Sequence, residues 1–147
     1  MPISDTLGQA ALGAIRTAVN GGSLFLFSGT VPADADDALN MATAHTQLVA
    51  FPGVSFDAPS GPGMTKALAE TWDEVIAFDG AQSAEATLAP TFWRFCATGD
   101  NGRGAATTPR LQGTAGGPFT SLPCAALTDN GTNTLTISTF AVLMEAV

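Results

Sequence analysis

Asp34, Asp36 and Asp37 fall within four consecutive positions, and closely spaced carboxylates are the donor set of a hard cation such as calcium. A calcium loop of the EF-hand type also needs a glycine at its sixth position and a closing glutamate, and this segment has neither. The three aspartates are therefore read as part of a solvated arm or a helix cap. The single histidine, His45, has no second ligand and no serine partner nearby in sequence, and is read as an incidental polar residue. Asp73 and Glu74 are adjacent, so on a strand they point to opposite faces and do not form a general acid–base pair. Cys96 and Cys124 stand in no Cys-x-x-Cys or Cys/His cluster. Two reduced, packed thiols are expected, with a disulfide between them left open. The glycines of Thr98-Gly99-Asp100-Asn101-Gly102-Arg103-Gly104 lack the Gly-x-x-x-x-Gly-Lys-Ser/Thr spacing of a phosphate loop, and Asn-Gly marks a turn. No nucleophile, base, metal set or cofactor cradle emerges, so the chain is not expected to be an enzyme.

Charge narrows the partners. Five Lys and Arg face thirteen Asp and Glu, a formal net charge of −8 over 147 residues. Nucleic acid and anionic membrane surfaces are recognised through clustered Lys and Arg, so neither is expected as a partner. Only 12% of the residues are charged, about half the usual share, and mean hydropathy is +0.25. Two explanations compete. The surface is polar without charge, rich in Ala, Thr and Gly, or much of it is buried against copies of the chain or another protein. No apolar run reaches the ~18–20 residues of a bilayer span. The start, Met1-Pro2-Ile3-Ser4-Asp5, has neither a basic region nor an apolar signal core, so export by a signal peptide is not expected.

The elements that must position these residues are short. Residues 4–20 are predicted to be a helix, capped by Ser4 or Asp5 and ended by Gly21-Gly22. Its apolar face is expected to hold Leu7, Ala11, Ala14, Ile15, Ala18 and Val19, suited to packing on a sheet or a neighbouring subunit. Leu24-Phe25-Leu26-Phe27 is apolar at every position and reads as a strand buried on both faces, central or covered by the helix. Ser28-Gly29 stops it, and Pro32 opens an acidic, Ala-rich arm over residues 30–46. Residues 47–51 form a second strand candidate that Pro52-Gly53 breaks, with Val54-Ser55-Phe56 as its candidate resumption. Residues 58–69 are a loop with a short apolar tail that includes Met64. Residues 72–78 are ambiguous between strand and helix.

Thr91-Phe92-Trp93-Arg94-Phe95-Cys96-Ala97 is the clearest strand, with Trp93, Phe95 and Ala97 on one face and Phe92, Arg94 and Cys96 on the other. Arg94 is thus placed among apolar neighbours, as a structural ion pair or an interface contact. Both tryptophans lie in strand-like runs, so core packing is the simpler reading for Trp72 and Trp93. Residues 110–114 add a strand. A last strand runs from 133 to about 146, with a β-bulge near Ser138-Thr139 needed to bring Leu135, Ile137, Phe140, Val142 and Met144 to one side. The sum is one domain, residues 1–147: a helix over 1–22 and a β-rich core over 23–147. The expected class is mainly β, a β-sandwich or flattened barrel with one N-terminal α-helix.

Three blocks together resemble a family of small tailed-bacteriophage virion proteins. The first is an apolar strand running into Ser-Gly-Thr-Val-Pro-Ala-Asp-Ala-Asp, residues 24–37. The second is Phe92-Trp93-Arg94-Phe95 leading to Asp100-Asn101-Gly102. The third is Leu135-Thr136-Ile137-Ser138-Thr139-Phe140. The chain departs from the family pattern in the 58–69 loop and the Trp72 segment, which are longer and more apolar. The resemblance implies a virion component present in many copies, a head decoration or cement protein that braces the major capsid protein lattice, with a tail or connector-region component as the alternative. A carbohydrate-binding β-sandwich, stacking sugars on Trp72 or Trp93, is the alternative of another class. Under the first reading the partners are the major capsid protein and further copies of the chain. The contact candidates are then Leu7, Ala11 and Ile15 on the helix, Val31, Pro32, Asp34, Asp36 and Asp37 on the arm, Met64 on the loop, and Arg94.

Overall fold

A computed structural model describes residues 4–59, 63–67, 74–75, 87–116, 122–123, 127–128, 134–135 and 139–143. The chain is mainly β with one N-terminal helix. The elements run in the order α1 (Asp5–Val19), β1 (Gly22–Gly29), β2 (His45–Val54), β3 (Gly63–Ala67), β4 (Glu74–Val75), β5 (Thr87–Leu88), β6 (Phe92–Cys96), β7 (Arg110–Gly116), β8 (Leu122–Pro123), β9 (Leu127–Thr128), β10 (Thr134–Leu135) and β11 (Thr139–Leu143).

The principal sheet has the order β2-β1-β6-β7-β8, antiparallel through β7 and parallel at β7–β8. Strand β1 lies inside it, as its unbroken apolar run requires. Three further antiparallel pairs join β3 to β11, β4 to β10 and β5 to β9. These pairings fix the mainly β class: among the described residues the strands form one five-stranded sheet and three two-stranded ladders.

Alternation along β1 and β6 sends side chains to two separate cores. Leu24, Leu26, Trp93 and Phe95 go to one side and pack with Leu12 and Val19 of the helix, Val54 and Phe56. Phe25, Phe27, Phe92 and Cys96 go to the other and meet Leu39 and Met41. The predicted alternation of residues 92–96 holds. So does the capped start of the helix, where the Ser4 hydroxyl accepts the Leu7 N–H.

The helix presents a different face from the one expected. Gly8, Leu12 and Val19 are buried and Ile15 packs beside them, whereas Leu7, Ala14 and Ala18 are exposed and Ala11 is half-buried. A rotation that buries Leu12, Ile15 and Val19 removes more apolar area from water than a row of alanines does. Arg16 fixes this orientation by donating to the Phe56 carbonyl at 2.7 Å.

Three strand boundaries also differ. β2 continues through Pro52-Gly53 to Val54, because β2 is the outer strand of the sheet, where a missing proline N–H is tolerated. The 58–69 loop contains β3, since Gly63 to Ala67 pair with Leu143 to Thr139. The single C-terminal strand is two: β10 pairs with β4 and β11 with β3. The bulge expected near Ser138, and the Trp72 segment short of Glu74, lie outside the described residues, as does Cys124. No helix among the described residues is long and apolar enough to cross a membrane.

Truncating Phe95, fully buried where β6 meets the helix-side core, removes a large side chain that the surroundings only partly replace. Phe95→Ala is expected to lower unfolding stability by about 3–5 kcal/mol. Leu7→Ala, at a position 57% exposed, is expected to change it by less than about 0.5 kcal/mol. Urea titration followed by tryptophan fluorescence measures both.

Candidate functional site: an arginine-cored latch

The second face of the sheet is covered by two loops. One is the 15-residue connection 30–44 between β1 and β2, whose ends meet because Gly29 pairs with His45. A compact loop of this length with joined ends is an Ω-loop. The other is the connection 97–109 between β6 and β7, whose ends meet where Cys96 pairs with Arg110. The segment expected to leave the core as an arm is thus folded down onto its own sheet, with Leu39 plugged between Phe25, Phe27 and Phe92.

Arg94 holds it there. The side chain is 0% exposed. Its Nη1 donates to the carbonyls of Asp37 at 2.9 Å and Gly102 at 2.8 Å, and its Nη2 to that of Asp34 at 3.2 Å. Nε donates to Gln112 Oε1 at 2.9 Å, and the Gln112 amide in turn donates to the Pro32 carbonyl at 2.9 Å. The guanidinium carbon lies 5.9 Å from the Phe92 ring centre, within cation–π range. Burial lowers the Arg94 pKa from its ordinary value, and nearby Arg110 adds to this. A guanidinium starts high enough to stay charged.

Arg110 makes the second tie. It grips Asp100 in a bidentate pair, Nε to Oδ2 at 2.6 Å and Nη2 to Oδ1 at 2.7 Å. Its remaining nitrogen donates to the carbonyls of Gly104 and Ala35. Asp100 also accepts the Gly102 N–H and the Thr108 hydroxyl. The Arg110 hydrogen bonds hold its carboxyl below the usual range, at about 2, against the opposing effect of burial. Arg103 bonds Gln47 through its side chain, while its carbonyl accepts the Leu39 N–H at 2.7 Å. Two glycines are fixed by this packing. A Cβ on Gly102, at φ +71°, would meet Cys96 Sγ at 3.1 Å, and one on Gly29, at φ +117°, would overlap the Ala44 carbonyl.

His45, read from sequence as incidental, closes the loop neck. Its Nδ1 accepts the Asn40 N–H at 3.0 Å and its Nε2 reaches the Thr30 carbonyl at 2.9 Å, while the ring stands edge-on to Phe92 at 5.9 Å. Both bonds are made together by the neutral imidazole protonated on Nε2. Nothing in the spacing of 30–45 reveals this, because both partners are backbone groups. The same holds for the bonds that Arg94, Gln112 and Arg110 make to the carbonyls of the two loops.

The expected contact residues divide accordingly. Val31, 41% exposed, and Asp34, Asp36 and Asp37 lie on the outer side of the loop, and Pro32 is half-buried. The carboxylates of Asp34 and Asp37 serve the loop's own backbone: Asp34 accepts the Asp36 N–H, as in an Asx-turn, and Asp37 accepts the Asp34 N–H. Leu7 is exposed on the helix, but Ile15 packs into the core. Met64 sits on β3 opposite Val142. Arg94 has no accessible surface, so the interface role is corrected to an internal one: its recorded partners are carbonyl oxygens of its own chain. Cys96 carries a free thiol, which burial, with Asp100 adding, pushes up to about 12; it packs as a small apolar group.

The latch is a network of hydrogen bonds and one bidentate ion pair that ties both loops to the sheet. It converts two long loops into one fixed surface, with the arginines inside and the carboxylates of 34–37 outside. Comparison of the chain with protein-family profiles, with curated proteins and with solved structures finds no match.

Two outcomes follow for the latch. Arg94→Met fills similar space but takes the guanidinium donor from the carbonyls of Asp37 and Gly102 and leaves that of Asp34 only the Asp37 N–H, a loss of about 3–5 kcal/mol by analogy with breaking a buried charged network. Limited proteolysis should then cut within 30–44, where the wild type resists. Asp100 has a folded pKa below its unfolded one. Its contribution is therefore present above about pH 4 and lost as pH falls toward 2. Denaturant midpoints measured from pH 6 to pH 2 should show this acid limb in the wild type and a flatter one in Asp100→Asn.

Proposed function

We propose that the chain is a structural component of a bacteriophage particle, a head decoration or cement protein that braces the major capsid protein lattice through repeated non-covalent contacts. The observation that carries this reading is the convergence of two of the three resembling blocks on the latch. Residues 24–37 and 92–102 are far apart in sequence, yet Arg94 of the second bonds the Asp34 and Asp37 carbonyls of the first, and the Gly102 carbonyl shares the same nitrogen. A chain that shares both blocks shares a fixed loop surface rather than a reaction centre.

Such a surface suits a lattice protein. A contact loop already fixed in shape loses little conformational freedom on docking. Symmetry-related copies then add modest interfaces at high effective concentration. The exposed Val31 beside the 34–37 carboxylates, and Leu7 on the helix, are the contact residues of this proposal, with the major capsid protein and further copies of the chain as partners. The protein is made in the host cytoplasm and resides in the virion.

The sugar-binding alternative loses one of its two platforms, because Trp93 is 5% exposed within the helix-side core.

The test is whether the protein belongs to particles. Mature virions purified from a producing lysate should contain it in a fixed ratio to the major capsid protein, with cryo-EM density on the outside of the head. A folded Leu7→Asp/Val31→Asp double variant should show greatly reduced occupancy. Absence from virions overturns the proposal, density confined to the tail or connector replaces it with the tail reading, and undiminished occupancy of the double variant removes the assigned contacts.

A further inference from the structure

Asn101-Gly102 carries a reaction of its own that the latch leaves unused. In an Asn-Gly pair the glycine nitrogen can attack the asparagine Cγ, because no side chain hinders its approach. A C–N bond forms, ammonia leaves, and water then opens the resulting succinimide to aspartate or isoaspartate. The attacking nitrogen must first give up its proton.

Here that proton is held. The Gly102 N–H donates to Asp100 Oδ1 at 2.9 Å, and Asp100 is kept ionised by its bidentate bond to Arg110. A deprotonated amide at this position would face a carboxylate across hydrogen-bond distance, a like-charge arrangement in a half-buried site. The electrophile is restrained as well, since Asn101 Oδ1 accepts the Arg103 N–H at 2.9 Å. The Gly102 carbonyl, in the following peptide, is fixed by Arg94 at 2.8 Å, so the glycine is anchored on both sides of its Cα, by Asp100 at its N–H and by Arg94 at its carbonyl.

We infer that Asn101 is a latent deamidation site that the Asp100–Arg110 pair keeps closed and that opens when the latch opens. The consequence runs in the other direction too. An isoaspartate at 101 lengthens the backbone by one methylene and adds a negative charge beside Asp100. Both displace the Gly102 carbonyl from Arg94, so the modification releases the 30–44 loop and marks the copies in which it has happened. This site stands independently of the virion reading.

The test follows ammonia loss and isoaspartate at Asn101 by peptide mass spectrometry during incubation at mildly alkaline pH. Three samples are compared: the folded protein, a synthetic peptide of residues 97–105, and Asp100→Asn, which keeps an acceptor for the Gly102 N–H but removes the charge. Asn101 should react at least about tenfold more slowly in the folded protein than in the peptide, as expected for a site reached only through local opening. Asp100→Asn should move the rate toward that of the peptide while Asn20-Gly21, at the helix C-terminus, keeps its wild-type rate. A rate in the folded protein equal to the peptide overturns the inference, as does full protection in a folded Asp100→Asn. If Asn20 accelerates as well, the variant has unfolded, and the comparison of wild type with peptide decides alone. For the consequence, the isoaspartate-101 fraction should show faster amide exchange across 30–44; exchange equal to that of unmodified protein refutes the release.

Discussion

A guanidinium taken wholly out of water loses several kcal/mol of hydration, and five N–H donors must then be answered within the fold. Arg94 is in that position, in the middle of β6. Its acceptors lie on three separate segments: the Ω-loop at Asp34 and Asp37, the β6–β7 loop at Gly102, and β7 at Gln112. No one segment satisfies it, so the two loops and the sheet are stable only together. Hydrogen bonds to a charged donor contribute about 1.5–3 kcal/mol each, which makes Arg94 the organising contact of the second face. Leu39 and Met41 add little apolar area by comparison with the helix-side core.

The two faces of the sheet are thereby held by different physics. On the helix side, Leu12, Val19, Phe51, Phe56 and Phe95 form one apolar cluster, and exchange of one apolar residue for another of similar volume would be tolerated. On the latch side, stability comes from directed bonds to carbonyl oxygens, whose positions are set by backbone conformation. That explains why the positive-φ glycine Gly102 sits beside Arg94, and why Gly29 occupies the loop neck. It also separates the charges. Arg94 and Arg110 are consumed internally, so the outward carboxylates of 34–37 meet the solvent with little compensation, in keeping with the chain's net charge of −8.

How much of this the sequence carried depends on which partner a residue has. Side chains that meet other side chains by periodicity were readable: the central position of residues 24–27, the alternation of 92–96, and the helix with its Ser4 cap. The helix face was misread by part of a turn because Leu7 and the alanines lie on a regular row, while Gly8 contributes no hydropathy yet lets the helix approach the core. Residues 63–67 gave no strand pattern because Met64-Thr65-Lys66-Ala67 lacks clear alternation; only the facing residues 139–143 define them as a strand. The latch was invisible for a further reason. Arg94 and His45 bond mostly to backbone carbonyls and N–H groups, which every residue offers regardless of its type, and the Arg110–Asp100 pair joins a loop to a strand with no periodicity to announce it.

This last point bears on what kind of surface the Ω-loop presents. Because its shape is fixed largely through carbonyls, the side chains of Val31 and Asp36 are released from structural duty, while the Asp34 carboxylate keeps one bond, to the Asp36 N–H. Substitutions there leave the Arg94 bonds intact, since the acceptors are main-chain atoms. The loop can thus keep one geometry while its outward chemistry varies, whereas Arg94, Asp100, Gly102 and Arg110 cannot change without loss of that geometry. A partner-contacting surface built in this way separates fold from recognition within a single 15-residue segment, and leaves the recognition residues free to follow whatever surface they meet.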